Sequence, residues 1–168
     1  MSKTLVITGS SRGIGYALVQ LASAAGHQVY ALSRNISTIK KTNLIHPFSI
    51  DITVKNSLES FVDQIQKDGI QIDALINNAG ALINKPFSET TTEDFFSVYH
   101  VNIIGLASLT RILLPLINTK GHVLNISSMG GVDGSSKFPG LAAYSSSKGA
   151  VNILTELLLS LIHISEPT

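Results

Sequence analysis

Tyr144 and Lys148 stand four residues apart near the start of a helical pattern that runs from Ala142 to about Leu158. That spacing stacks both side chains on one helix face. A free tyrosine titrates near pH 10, too high to exchange protons readily at neutral pH. An ammonium at about 4 Å, in a medium of effective dielectric ~20, supplies about 4 kcal/mol of attraction. At about 1.36 kcal/mol per unit, that lowers a tyrosine by up to about three units, less solvent screening. Such a pair suits general acid/base work, although a tyrosine and a lysine on one helix are more often a solvated face.

Four further clusters carry chemical potential. Thr8-Gly9-Ser10-Ser11-Arg12-Gly13-Ile14-Gly15 follows an apolar strand and opens a helix. Glycines there let the backbone approach a pyrophosphate, which then sits at the helix N-terminus; the plain alternative is a tight turn. Asn77-Asn78-Ala79-Gly80 closes another strand, and its small residues let a ligand pass close to the chain, though Asn and Gly are also ordinary turn formers. Asn125-Ile126-Ser127-Ser128 brings two hydroxyls to the end of a third strand, where simple strand-end polarity would look the same. Asn102 lies in a mostly apolar helix between Val101 and Ile103, where a polar amide needs partners; a satisfied structural role is the bland reading. The five histidines show no metal-ligand spacing and no pairing with a nucleophile, so no metal site is expected. No Gly-Lys-Ser/Thr follows the glycine loop, which excludes a P-loop.

The elements that position these residues follow from hydrophobic periodicity. Thr4–Ile7 is continuously apolar, as in a strand buried on both faces. Ile14, Ala17, Leu18, Leu21, Ala22 and Ala25 recur at three and four, a helix that Gly26 stops. Val29–Leu32 reads as a second strand and Leu44–Ile50 as a third, interrupted near its start by Pro47. Val54–Lys67 reads as a helix, Asp73–Ile76 as a strand, and Thr92–Ile117 as one long helix bent before Pro115. His122–Ile126 is a fifth strand, glycine-rich 130–140 a loop, and the polar stretch 34–44 a loop or a short helix. Strands alternating with helices predict a parallel sheet with helices on both faces, wound right-handedly into a doubly wound α/β fold.

Composition narrows the function. The 168 residues carry a formal net charge of +1 and no block of basic residues, which argues against nucleic-acid partners working through a basic field. Without cysteine there are no disulfides, thiolate metal sites or cysteine nucleophile; a cytoplasmic address fits. No signal peptide is expected before the first strand. The greasiest stretch, Ile103–Ile117, contains Arg111 and Pro115 and is too short to span a membrane.

Taken together, the motifs resemble the classical short-chain dehydrogenase/reductase family, from Lys3 to about Leu158. The resemblance implies a Rossmann-type sheet and hydride transfer between a nicotinamide cofactor and a small-molecule carbonyl/alcohol pair. Gly9, Ser11, Arg12, Gly13, Ile14 and Gly15 match the family's glycine motif. Asp51, with Ile52, resembles its adenine-contacting site, and Asn78, Ala79 and Gly80 its cofactor-lining stretch. Asn102, Ser128, Tyr144 and Lys148 match its catalytic tetrad. The resemblance makes Tyr144 the proton donor and Ser128 the partner of the substrate oxygen. It gives Lys148 the nicotinamide ribose as well as the tyrosine, and Asn102 a water that links Lys148 to solvent. At the end of the second strand, Ser33 is neutral and Arg34 follows it, while Arg12 lies in the glycine loop. Two guanidiniums suit a 2′-phosphate, so NADP(H) is expected over NAD(H).

Two departures from the family pattern stand out. Ser128 and Tyr144 are 16 positions apart, longer than usual in the family, with the extra residues in the glycine-rich loop. Family members also continue beyond the Tyr-Lys helix with a sixth strand, a substrate-covering segment and a seventh strand, so residues 1–158 read as a domain incomplete at its C-terminus. Residues 159–168, Leu-Ser-Leu-Ile-His-Ile-Ser-Glu-Pro-Thr, resemble a translated sequencing adapter and are expected to be a non-native tail. The 168 residues alone are then expected to be inactive, and the family reading applies to their intact parent. A non-catalytic nucleotide-binding protein is the alternative, against which the intact Asn-Ser-Tyr-Lys set argues. Ile103, Ile104, Leu109, Ile112, Leu113, Leu157 and Leu158 exceed what one sheet face needs, which suggests a homo-oligomer.

Overall fold

The computed structural model describes residues 1–163, with side chains through Leu159. In chain order the elements are β1 (Thr4–Thr8), α1 (Gly13–Ala24), β2 (Gln28–Ser33), β3 (Ile45–Ser49), α2 (Lys55–Lys67), β4 (Ile72–Asn77), α3 (Thr92–Tyr99), α4 (Leu106–Leu113), β5 (Ile117–Asn125) and α5 (Ala142–His163). They fall into two compact units, one of residues 1–80 and 104–126, the other of 81–103 and the described residues from 127. The expected tail at 159–168 lies outside the described residues, apart from Leu159 and the backbone of 160–163, over which α5 continues to His163.

The first unit holds the whole sheet, in the order β3-β2-β1-β4-β5 with every pair parallel. This is the doubly wound arrangement expected from the strand-helix alternation. Period-two alternation sorts its side chains. Ile7, Val29, Ala31 and Ile45 pack with Val19 of α1 in one cluster. Tyr30, between Val29 and Ala31, turns the other way and stacks on His46 and Phe48, with Phe61 of α2 edge-on. Each large apolar side chain so buried contributes roughly 1.5–3 kcal/mol. The strand order reverses between β1 and β4, and a doubly wound sheet binds ligands at the carboxyl ends of the strands flanking such a point. Those ends carry Gly9 and Asn78.

Two local readings differ, and a third holds with an addition. Pro47 lies within β3, paired with Ala31, rather than interrupting it. β3 is the sheet's edge, where a residue without an N–H is tolerated. Stretch 34–44 forms turns, yet Ile39 is buried and joins the core cluster, with Ile36 packed against it. β5 starts at Ile117, five residues early, because its polar first half is an irregularity: Ile72 pairs with Ile117, but Ala74 pairs with His122. Asn118 there donates to Asp73 at 3.0 Å. The same carboxylate accepts from Thr4 N at 2.8 Å and Lys3 Nζ at 3.3 Å. The Thr4 amide, then Asn118 and Lys3, hold Asp73 below the usual carboxylate range.

In the second unit α3 packs on α5, with Val98, Ala143 and Val151 buried. Thr91 caps α3 reciprocally with Asp94, and Lys85 Nζ sits 2.7 Å from Asp94 Oδ2. The single long helix expected over 92–117 is instead α3, a π turn at His100–Gly105, α4, and a 3₁₀ turn at Leu114–Leu116 containing Pro115. The change of winding thus comes well before the proline. The helical run Thr92–Leu116 has 25 residues and is long and apolar enough, by length and composition alone, to cross a membrane. The length argument against a span therefore does not hold, since it left out α3. Within that run Leu106, Leu109 and Leu113 are buried in the protein.

Candidate active site

In the first unit, the ends of β1 and β4 are stitched together by side chains. Thr8 Oγ1 accepts from the amides of Asn78 and Ala79 at 3.0 and 2.9 Å. Asn78 Nδ2 donates to Thr8 O at 3.0 Å and Gly9 O at 3.2 Å. Gly9 has φ +66°, and a Cβ there would lie 2.9 Å from the Ala79 Cα. A Cβ on Gly15 would collide with Gly9 O and stand 2.5 Å from Asn78 Nδ2. The loop is closed tightly on itself, so glycine is required by space as well as by dihedral angle. α1 opens at Gly13, and its N-cap residue Arg12 supplies no side-chain capping bond. First-turn amides of this kind suit an anion. The residues present therefore fit the diphosphate of a dinucleotide, as the glycine motif led us to expect.

Other expected cofactor residues in this unit are Ser11, whose carbonyl accepts from Thr38 Oγ1 at 2.8 Å, and Ile14, which is 61% exposed. Arg12 and Arg34 are exposed, and Ser33 closes β2, buried. Asp51 directs a carboxylate oxygen to the Thr53 amide and hydroxyl, at 2.9 and 2.7 Å, and so shapes the entry to α2. Ile52 is buried, and a Cβ on Gly105 would meet its side chain at 2.8 Å.

Asn77 has a role that the sequence reading missed. Its Nδ2 donates to Thr110 Oγ1 at 2.9 Å and Asn125 Oδ1 at 2.8 Å, tying β4 to α4 and β5. The signal was available: consecutive residues of a strand face opposite sides, so Asn77 and Asn78 cannot serve one task.

The second unit contains all four members of the expected catalytic set. Tyr144 and Lys148 lie one turn apart on α5, and Nζ stands over the tyrosine ring, 5.8 Å from its centroid. This is a cation–π placement. Lys148 is 4% exposed, and burial pushes its ammonium below the usual lysine range. Ser128 Oγ accepts from Gly130 N at 3.3 Å and so caps the turn Met129–Gly131. Ser127 Oγ donates instead to the Lys148 carbonyl at 3.1 Å, and Asn152 Nδ2 donates to Gly131 O at 3.0 Å. The turn presses on α5: a Cβ on Gly131 would strike the Lys148 carbonyl carbon and stand 2.6 Å from Gly149 N.

Asn102 lies in the π turn, fully buried. Its Oδ1 accepts from Ala81 N at 2.7 Å. Its Nδ2 donates to Ala81 O at 3.0 Å and Ser147 Oγ at 2.9 Å. The amide thus has the partners that a buried polar group requires. π turns inside helices frequently mark functional sites, which periodicity along the sequence could not reveal. Of the apolar residues expected at an interface, Leu109 and Leu113 are fully buried within the chain, whereas Ile104 and Leu157 are each 54% exposed.

Comparison with known proteins agrees with the fold. A family model described as short chain dehydrogenase matches residues 3–163, reaching into the segment expected as a tail. The chain is 32% identical over 168 residues to Oxidoreductase BOA17 of Botryotinia fuckeliana, covering 94% of this chain and 60% of that protein. It superposes with a TM-score of 0.89 and 30% identity on a short-chain dehydrogenase from Streptomyces avermitilis, over 97% of this chain and 62% of the other. A 4-hydroxyisoleucine dehydrogenase complexed with NADH matches with a TM-score of 0.86 and 26% identity, over 96% and 68%. The chain spans about six tenths of the length of the curated relatives it matches. With its parallel sheet, glycine loop and Asn-Ser-Tyr-Lys set, it belongs to the short-chain dehydrogenase family.

Proposed function

We propose that the protein transfers a hydride between NADP(H) and a carbonyl/alcohol pair, with Tyr144 as general acid/base. The observation that carries this reading is the buried Lys148 ammonium over the ring of Tyr144, one helical turn away. In reduction, the carbonyl carbon gains the hydride that the nicotinamide supplies when bound. The carbonyl oxygen takes the phenolic proton of Tyr144, which solvent restores. Ser128 hydrogen-bonds that oxygen and stabilises its developing charge. Lys148 holds the nicotinamide ribose, and Asn102 positions a water on the path from Lys148 to solvent. Gly9 to Gly15 take the diphosphate, Asn78 to Gly80 line the cofactor, and Asp51 with Ile52 take the adenine. Arg34 and Arg12 favour a 2′-phosphate beside neutral Ser33. We also propose a cytoplasmic homo-oligomer, for which the exposed Ile104 and Leu157 are the support; light scattering of the complete gene product tests this.

The test of function is NADPH oxidation by the complete gene product against a panel of ketones, run beside NADH. Turnover is expected with NADPH, and Tyr144→Phe is expected to lose about 10²–10⁴-fold of it while still binding NADPH. Wild-type turnover by the Phe variant refutes the assignment of Tyr144, and equal or better turnover with NADH refutes the cofactor assignment.

A further inference from the structure

We propose that Ser147 is a positioning residue for this reaction, setting the orientation of Asn102 and joining it to the backbone of Tyr144. The inference rests on the function proposed above. Ser147 is fully buried. Its Oγ accepts from Asn102 Nδ2 at 2.9 Å and donates to the Tyr144 carbonyl at 2.7 Å. A carbonyl can only accept, so the one hydroxyl proton is committed to Tyr144, and Ser147 can then only accept from Asn102. That requirement fixes which end of the Asn102 amide faces α5. The other end is thereby presented to Ala81, whose N–H it accepts at 2.7 Å. With the amide reversed, Oδ1 would face the Ser147 lone pairs, and an NH₂ group would face the Ala81 N–H. The result is a one-way chain, amide to hydroxyl to carbonyl, in which each bond polarises the next.

The neighbouring serines show that this is not a general property of a serine-rich helix start. Ser146, exposed, bonds back to Ala142 O and Ala143 O at 2.7 and 3.2 Å, within its own helix. Ser145 Oγ is buried with no hydrogen-bond partner. Of the three, Ser147 alone reaches out of α5, and it reaches the π turn. A π turn is an uncommon winding that local sequence rarely favours, so cross-links from Asn102 to Ala81 and Ser147 are what hold it. Loss of the hydroxyl leaves one buried amide proton without a partner, and the amide is then held from Ala81 alone.

The test uses the complete gene product with NADPH and a ketone panel that includes cyclopentanone and ethyl acetoacetate. Ser147→Ala is expected to lower kcat by roughly ten- to a hundredfold, the scale of a misplaced catalytic group, with NADPH affinity changed less than about twofold. Ser146→Ala is expected to leave kcat unchanged. In a double-mutant cycle, adding Ser147→Ala to Asn102→Ala is expected to cost nothing further. Independently of activity, the Ala81 amide in Ser147→Ala should exchange with solvent about tenfold faster, as its acceptor loosens. Wild-type kcat in Ser147→Ala, losses that multiply in the cycle, or unchanged Ala81 exchange would each overturn the proposal. If Tyr144→Phe keeps wild-type turnover, or no ketone reacts, the proposed function has failed instead, and Ala81 exchange alone decides whether Ser147 orders Asn102.

Discussion

Replacing Gly131 with alanine tests whether the active-site helix is held where chemistry needs it. The new Cβ would stand 2.6 Å from Gly149 N and closer still to the Lys148 carbonyl carbon, whereas ordinary contact begins at 3.4 Å. Turn and helix must therefore separate by 3.4 less 2.6, or 0.8 Å, at the least. Both colliding atoms are backbone, so no side-chain rotation relieves the clash, and the helix must move where Lys148 is attached. Overpacking of this kind costs about 1–3 kcal/mol, which lowers Tm by about 2–4 °C per kcal/mol in a chain of this size. The chemical cost is larger, since about 1 Å of misplacement is worth roughly a hundredfold in rate. Gly134→Ala is the matched control. Gly134 has φ +69° and nothing within 4 Å of its Cβ position, so alanine there costs about 1–2 kcal/mol of backbone strain without pushing on α5. The assay is kcat from NADPH absorbance, with Tm from thermal unfolding. Gly131→Ala should stay folded and lose about a hundredfold in kcat, while Gly134→Ala loses similar stability and little activity. Unchanged kcat in Gly131→Ala, or equal loss in both variants, refutes the reasoning.

Three further outcomes are open to measurement. Ser33→Asp with Arg34→Leu should shift cofactor preference toward NADH, because a carboxylate at the end of β2 accepts from the ribose hydroxyls and repels a phosphate; unchanged ratios of kcat/KM for the two cofactors would count against it. Asp73→Asn should cost about 1 kcal/mol at neutral pH. Its folded pKa lies below the unfolded one, so its contribution is present above the unfolded value and lost as pH falls through the folded one, and the variant should show a flatter acid limb of stability. For Lys148 the slope has the same sign, because burial lowers its pKa too, but what is lost as pH rises is the penalty of burying a charged ammonium. The unfolded chain binds the extra proton between the two values, so stability rises with pH across that window, and Lys148→Met should flatten this alkaline limb in denaturant titrations at several pH values.

Much of the fold was legible because burial writes itself as period. The apolar run Thr4–Ile7 and the three-four recurrence after Ile14 placed β1 and α1, and the glycine loop between them was readable from its flanks. The Tyr144–Lys148 pair was legible because helical spacing alone puts both on one face. The rest depends on contacts between distant residues. Ile39 sits in a polar stretch whose composition gives no sign that β2 and α1 bury it. The π turn at His100–Gly105 is held by Ala81 and Ser147, 21 and 45 positions from Asn102. The early start of β5 depends on Asn118 meeting Asp73, 45 positions away. No window of local pattern contains these partners.

The two edges of the sheet differ in their openness to another strand. Along β3, an incoming strand would meet Pro47, which has no N–H to offer, in the middle of a five-residue element. Pairing there is interrupted almost as soon as it begins, a common protection of an exposed edge. β5 has no proline, and its second half, His122–Asn125, is in regular register with β4. The sheet is therefore extensible on one side and blunted on the other. Whatever strand joins it, from the same chain or from another molecule, is directed to β5, so growth of this sheet has a single polarity.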